Sequence, residues 1–377
     1  LLYQVATAAL SPADVAWPIR HILRRQKNAT VFMAEVTGVD ARGRIVNTKA
    51  GPFPFDFLVI ATGARNWYFG HENWTAVAPG LKRIEDATRI RRNILSAFEK
   101  AELARDDAER KRLLTFAIIG GGPTGVEMAG AIAEVARQTL ARDFRRIDPR
   151  TARIVLIEGG PRLLPTFSEQ HSTYTRDTLV AMGVDVMTSS PVLECDTRGV
   201  DLAGGRIEAG TVIWAAGVMA SPAAQWVSAD HDRGGRVVVG PDLSLHGFND
   251  IFVIGDTASV KDASGRAVPG LASAAKQMGK YVGRLIGARV VGQSLPPFHY
   301  RHEGSLATIG RRAAVVEFGP IQLKGFIGWM FWSAVHIYFL IGLRNRFVVA
   351  ITWLWSYVTF KRGARLITEV PPSVPAE

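Results

Sequence analysis

The 377-residue sequence has one cysteine, Cys195, and that scarcity excludes a disulfide framework and any cysteine-pair redox centre within one chain. In Val192-Leu-Glu-Cys195 the thiol reads as a small buried side chain. The eight histidines are scattered, and only His299 and His302 lie close together. No further His or Cys completes a ligand set around them, so no metal centre is expected. Acidic residues are the scarcer charge: 34 Asp and Glu against 45 Lys and Arg leave a formal net charge of +11. That balance points to an anionic partner, meaning acidic lipid, nucleic acid or a phosphate-bearing ligand. The first residue is Leu1 and no signal-peptide pattern precedes it, so the sequence reads as starting inside a longer protein.

Glycine and apolar residues are plentiful, with 37 glycines and 47% hydrophobic content, as in an α/β protein large enough for two or more domains. The most informative stretch is Phe116-Ala-Ile-Ile-Gly-Gly-Gly-Pro-Thr-Gly-Val-Glu-Met-Ala-Gly130. Phe116–Ile119 reads as a buried parallel strand, and Gly120, Gly122 and Gly125 form a G-x-G-x-x-G turn. A helix is predicted from Val126 to about Leu140. In such a unit the glycines allow a tight turn, close approach to a pyrophosphate and close helix–strand contact. The helix N-terminus offers free N–H groups and a positive dipole end. A second apolar strand, Arg153–Ile157, ends in Glu158, where a carboxylate accepts from a nucleotide ribose. Glu158 lies beyond the usual spacing of about 20 residues, so the basic segment Arg137–Arg153 must lengthen the helix or its exit loop.

Elsewhere the pattern alternates strands and helices. Ser11-Pro12-Ala-Asp14 starts a short helix, and Thr30–Asp40 and Arg44–Ala50 read as strands of a small sheet. Phe55–Ile60 is a strand running into the Ala-Thr-Gly turn at 61–63. Ile84 to about Arg112 reads as one charged surface helix with Ile90, Ile94, Leu95 and Phe98 along its apolar stripe. Ser168–Met182 is a second helix capped by Ser168, followed by a strand at Val184–Met187. The apolar strand from Thr211 ends in Ala-Ala-Gly217. Asn249–Ile254 is a strand ending in Gly255-Asp256, and Leu271–Ile286 is a helix carrying Gln277. Asp256 has two readings at this point: an acceptor for a cofactor hydroxyl, or the cap of a following helix.

Taken in order, Ala-Thr-Gly (61–63), Gly-Gly-Gly-Pro-Thr-Gly-Val-Glu (120–127), Ala-Ala-Gly (215–217) and Ile-Gly-Asp (254–256) resemble the two-dinucleotide-domain flavoprotein reductases. The finer resemblance is to the type II NADH:quinone oxidoreductases, through Leu1-Leu-Tyr-Gln-Val-Ala-Thr7, Pro269–Gln277 and Ile341-Gly-Leu-Arg-Asn-Arg346. It implies two Rossmann-like domains, the FAD domain discontinuous and the NADH domain inserted. The FAD domain would take residues 1–112 and 230–320, the NADH domain 113–229, and C-terminal amphipathic, membrane-anchoring helices 321–377. It implies that Gly120, Gly122, Gly125 and Glu158 hold NADH, that Thr62, Gly63, Gly217 and Asp256 line the cofactors, and that Glu127 stands near the nicotinamide–flavin junction. Gln277 matches the second glutamine of an Ala-Gln-x-x-x-Gln element at the quinone; Ser273 replaces the first. The family's own N-terminal G-x-G-x-x-G unit for FAD has no counterpart in these residues. The implied activity passes a hydride from NADH to FAD and two electrons to a membrane quinone without pumping protons. Rival readings are a soluble ferredoxin- or rubredoxin-type NAD(P)H reductase and a non-catalytic NADH-binding sensor.

The uncharged run Phe326–Leu343 has 18 residues, at the lower edge of what spans a bilayer. Arg344-Asn-Arg346 and the shorter run Phe347–Phe360 follow, then Lys361-Arg362-Gly-Ala-Arg365. Trp329, Trp332, Trp353, Trp355, Tyr338 and Tyr357 fall here, residues that favour the headgroup interface. Two helices lying in one leaflet, their basic residues on anionic lipid, are expected. Core or dimer-interface helices, or a true span, are the alternatives. Basic charge without stacking aromatics argues against nucleic acid. The family implies the cytoplasmic face of a bacterial inner membrane, with homodimer formation left open.

Overall fold

The computed structural model describes residues 1–262, 264–359 and 362–368, in two compact units. The first unit comprises Leu1–Ile22, Tyr68–Gly217 and the chain from Gly304 onward; the second comprises Leu23–Trp67 and Val218–Glu303.

The first unit is built on a four-stranded parallel sheet in the order Thr211–Trp214, Thr115–Ile119, Arg153–Ile157, Val184–Met187. Register runs Val212↔Ala117↔Val155↔Asp185 across it. Both central strands are almost wholly buried, which is why they read as unbroken apolar runs. Helices Pro123–Glu134 and Glu169–Ala181 make the crossovers between successive strands. Between Thr115–Ile119 and Thr211–Trp214 the strand order reverses, and open α/β sheets bind ligands at such a point. A hairpin sheet, Val192–Asp196, Gly199–Leu202 and Gly205–Glu208, supplies Cys195, Val200 and Ile207 to a core shared with Ala117, Val155 and Trp214.

Three antiparallel strands, Ser305–Gly310, Ala313–Phe318 and Ile321–Lys324, follow, then the helices Gly325–Phe339 and Leu343–Thr359. Helix Pro123–Glu134 lies directly on the first of these strands. A Cβ on Gly130 would stand 1.7 Å from the Ile309 carbonyl oxygen, so only glycine permits the contact. Trp332 and Val349 face inward, whereas Ile327, Phe331, Tyr338, Phe347, Ile351, Leu354 and Val358 remain exposed. Among the described residues no helix is long and apolar enough to cross a membrane.

In the second unit the meander Val36–Asp40, Ile45–Thr48, Gly51–Pro54 stands beside a parallel pair, Leu58–Ile60 with Ile251–Val253. Helix Ala272–Val290 buries Ala274, Met278, Val282 and Leu285 against Phe252 and its neighbours. An ion pair, Arg44–Asp250 at 2.7 Å, ties the meander to the loop before strand Ile251–Val253.

Several sequence expectations change in detail. The charged segment from Ile84 is two helices, Ile84–Leu103 and Asp107–Leu113, because Asp106 accepts from the Glu109 N–H and starts a new helix. Its apolar stripe is as expected, with Ile90, Ile94, Leu95 and Phe98 buried. The glycine-turn helix begins at Pro123, and after Glu134 it widens into a π-helical turn over Val135–Thr139. The extra length before Glu158 is exit loop. The basic cluster after the last helix turns inward: Arg362 pairs with Glu134 at 2.9 Å and Arg365 with Asp143, while Lys361 lies outside the described residues.

Replacing Gly130 by alanine forces the helix and the Ser305–Gly310 strand apart. The expected loss is about 3 kcal/mol of unfolding free energy, read by urea denaturation. The same change at Gly283, an exposed position inside helix Ala272–Val290 whose Cβ would meet nothing within 4 Å, should raise stability by up to about 1 kcal/mol.

Candidate functional site

The glycine turn shows three separate constraints. Gly120 has φ +112°, and a Cβ there would meet the Ala215 carbonyl and the Ala216 Cα at 2.6 Å. At Gly125 it would stand 1.8 Å from the Gly120 carbonyl oxygen. At Gly122, the residue preceding the helix, it would meet nothing within 4 Å. Two glycines are therefore required by backbone contact within the fold, and the third leaves clear space at a helix N-terminus. This is the cradle an anion needs: N–H groups without side chains in front of them.

Glu158 closes the cradle. Its carboxylate accepts from the Gly121 N–H at 2.5 Å and from the Gly160 N–H at 2.6 Å. Each oxygen keeps a further acceptor position, so the group is oriented and still able to take a hydroxyl. A cavity of about 300 Å³ opens here, lined by Phe69, His71, Trp74, Gly120, Glu158, Pro191, Trp214 and Ala216, among others. Its aromatic wall is fixed from behind: Tyr68 stacks on Trp214 at 5.0 Å, and Trp74 Nε1 donates to Glu194. Arg162, near enough in sequence to raise the question of a phosphate contact, donates instead to the Phe167 and Pro165 carbonyls and to Ser172. Gly217 follows the Thr211–Trp214 strand at the same edge of the sheet.

Glu127 belongs to the same helix but faces elsewhere. It lines a cavity of about 120 Å³ with Tyr3, Gln4, Glu134, Thr308, Trp332 and Arg362. Burial raises the Glu127 carboxyl to about 7, against the opposing pull of a hydrogen bond from the Thr308 backbone. A carboxyl balanced near neutrality can hold or release a proton. Glu134, two turns on, is ion-paired to Arg362, whose guanidinium also donates to the Thr7 carbonyl. Arg362 was not foreseen as part of this site; a lone arginine in a basic tail gives no local signal of a buried partner over 200 positions earlier.

In the second unit Thr62, Gly63 and Asp256 gather at the C-terminal edge of the parallel pair. Thr62 Oγ1 lies 2.5 Å from Ser221 Oγ, and Thr257 Oγ1 donates to the Gly63 carbonyl. Asp256 sits in the turn Gly255–Thr257 and leads into the short strand Ala258–Ser259. Its reading as a helix cap therefore fails, since the next helix starts at Ala272 with Leu271 before it. Gln277 is engaged at both ends: Nε2 donates to the Arg301 carbonyl at 2.8 Å, and Oε1 accepts from the Arg301 N–H at 3.0 Å. Each end keeps one further position, a second N–H on Nε2 and a second lone pair on Oε1, so the amide is oriented and still able to meet a ligand.

Comparison with known proteins covers nearly the whole chain. Residues 1–279 match the model of the pyridine nucleotide-disulphide oxidoreductases, and residues 302–362 match that of the NDH2 C-terminal domain. A type II NADH:quinone oxidoreductase of Mycobacterium tuberculosis is 40% identical over 98% of this chain and 81% of its own length. A second from the same organism is 39% identical, over 98% of this chain and 82% of its own. The solved structure of NDH2 from Plasmodium falciparum in complex with NADH has the same fold, with a TM-score of 0.88 at 22% identity. It covers 98% of this chain and 92% of its own.

Glu127 gives a test of the site's electrostatics. Its folded value lies above the ordinary carboxyl value, so the protonated form is favoured by folding and stability falls as pH rises from 4.5 through about 7. At about 1.4 kcal/mol per pH unit the loss is at most about 3 kcal/mol. Urea unfolding at pH 5 and pH 8 should show this loss in the native protein and little of it in Glu127→Gln.

Proposed function

The chain belongs to the pyridine nucleotide-disulphide oxidoreductases and, within them, to the type II NADH:quinone oxidoreductases; from this we propose that it oxidises NADH through FAD and reduces a membrane quinone. The observation that carries the reading is the open Gly122 cradle with Glu158 beside it at the sheet's reversal point. The match of the C-terminal segment to the NDH2 C-terminal domain favours quinone over a soluble ferredoxin or rubredoxin partner.

The residues present fit both cofactors. For NADH the fit is the cradle just described. For FAD it is the partly buried Asp256 carboxylate, which no hydrogen bond or ion pair of the described residues engages, next to the clear space at Gly63. When bound, FAD takes a hydride from NADH and passes two electrons on, and that chemistry belongs to the cofactors. The protein's own residues bind and orient. The N–H groups of Gly122, Thr124 and Gly125 at the helix start take the pyrophosphate, those of Gly120 and Gly121 being held by the Ile157 carbonyl and Glu158; Glu158 accepts from a ribose hydroxyl, and Thr62 and Asp256 take hydroxyls of FAD. Glu127 holds a proton on its carboxyl oxygen for delivery toward the reduced quinone. Gln277, oriented by its two bonds to Arg301, offers its second N–H or its second lone pair to the quinone head. Arg162 is held by carbonyls, so it does not offset the repulsion between Glu158 and a 2′-phosphate.

The exposed apolar side chains of Gly325–Phe339 and Leu343–Thr359 form the face we assign to a lipid surface, on the cytoplasmic side of a bacterial inner membrane. A second copy of the chain could cover the same face; Trp355, Tyr338, Arg344 and Arg346 along it favour lipid.

An anaerobic absorption spectrum tests the activity: NADH should bleach the flavin band of the FAD-loaded protein and a soluble quinone should restore it. A band that NADH leaves unchanged overturns the reading. Glu158→Gln should raise the ratio of NADPH to NADH kcat/KM about tenfold, by removing the charge that repels the 2′-phosphate.

A further inference from the structure

Tyr68-Phe69-Gly70-His71 is a tight turn closed by a bond from the His71 N–H to the Tyr68 carbonyl at 3.0 Å. Both central residues have positive φ, +55° at Phe69 and +94° at Gly70. Turns of this kind take Asn, Asp or Gly at the first central position. A bulky aromatic there is an outlier with a conformational cost, and such outliers concentrate where a side chain must be presented in a fixed place.

The Phe69 ring is 51% exposed, whereas its neighbour Tyr68 is buried, donates to the Ala78 carbonyl at 2.9 Å and stacks on Trp214. Phe69 meets the Trp214 ring edge-on, at 6.1 Å and 63° between planes, which leaves part of its own ring open to the cavity. Its base is anchored and its ring is held out over the cavity that Gly120, Glu158 and Ala216 also line. That cavity is the dinucleotide cleft of the reading above.

We propose that Phe69 is a positioning residue for NADH, its ring packing against one of the two planar rings of the bound dinucleotide. Aromatic rings arranged in this way stabilise a complex beyond the area they bury. The proposal rests on the NADH reading of the cleft. It adds a residue that no part of the glycine motif indicates. Because the turn is strained by Phe69 and suits glycine, stability and binding should separate: Phe69→Gly relaxes the backbone while removing the ring.

The test is steady-state kinetics and thermal unfolding of the FAD-loaded protein with Phe69→Gly, Phe69→Leu and Phe69→Trp. Phe69→Gly should raise the KM for NADH about tenfold with kcat nearly unchanged and the melting temperature equal or higher. Phe69→Leu, which keeps apolar bulk without a ring, should behave similarly in KM, and Phe69→Trp should stay near the native value. Inhibition by ADP-ribose and by nicotinamide mononucleotide identifies the ring: only the half that Phe69 covers should bind more weakly in Phe69→Gly. An unchanged KM in both Phe69→Gly and Phe69→Leu overturns the proposal, as does a KM that rises only in step with a falling melting temperature. Native protein that oxidises NADH while the variants match it leaves the enzyme reading standing and removes this one; native protein inert toward NADH removes the enzyme reading itself.

Discussion

The constraint on which the first unit depends is the absence of side chains along one helix, Pro123–Glu134. Gly125 lets the helix start hard against the Gly120 carbonyl, and Gly130 lets its middle rest on the Ile309 carbonyl. Backbone groups at these distances leave no adjustment, because a methyl group on either residue would overlap an oxygen. The helix is thereby fixed at both points, to the parallel sheet and to the C-terminal antiparallel sheet. Everything that residues of this helix hold inherits that precision. Its N-terminus lies at the sheet's reversal point beside Glu158, Glu127 faces the smaller cavity, and Glu134 receives Arg362 from the end of the tail. Positions 127, 130 and 134 follow the helical spacing of three and four, so one stripe carries the buried carboxyl, the close contact and the ion pair.

The Glu134–Arg362 pair illustrates how such a site is held together. Burial pulls the Arg362 guanidinium below its ordinary value, with Glu134 opposing that pull. Desolvating both ions costs about as much as their attraction returns, so the pair is poor evidence of net stability. Breaking it is another matter, since an uncompensated charge would be left inside. The geometry supports a role in register: Arg362 can meet Glu134 and the Thr7 carbonyl together only if the two tail helices end in one place. Trp353, in the second of those helices, adds a bond from Nε1 to Gln4 Oε1. The tail, the short helix Leu2–Ala6 and the glycine-turn helix thus enclose the Glu127 carboxyl from three sides, and that enclosure is what lifts it toward neutrality.

What could be read from the sequence follows from what is local. The glycine turn, the strand before it and the strand ending in Glu158 announce themselves because each is a short run whose neighbours have opposite character. Strand Arg153–Ile157 has the predicted bounds for that reason, as does Val184–Met187. The hairpin sheet 192–208 and the antiparallel strands 305–324 passed without notice, since their alternation is short and broken by charges. Gly130 looked like an ordinary small residue in an alanine-rich helix, and its partner, Ile309, lies far along the chain. Gln277 was assigned to a ligand by resemblance, while its bonds to Arg301 depend on a long-range approach that no spacing encodes. Phe69 gave no signal because its significance lies in a backbone angle.

The tail shows how structure redirects an argument made from composition. A net charge of +11 and a basic C-terminal cluster suggested that charge draws the protein to an anionic surface. Yet Arg362 and Arg365 are committed to Glu134 and Asp143 within the chain. Arg346 donates to the Leu340 carbonyl and lies 5.6 Å over the Tyr338 ring. What remains outward is apolar: Ile327, Leu343, Phe347, Ile351, Leu354 and Val358 are each between 65% and 70% exposed. Isolated apolar side chains at a surface are ordinary, but Leu343, Phe347, Ile351, Leu354 and Val358 recur every three or four residues along one face of a helix, and such a stripe favours being covered. Charge attraction fades within a Debye length and weakens in salt, whereas apolar burial does neither. The proposed attachment therefore rests on the area of that face, and the arginines at its margin serve to set its depth rather than its strength.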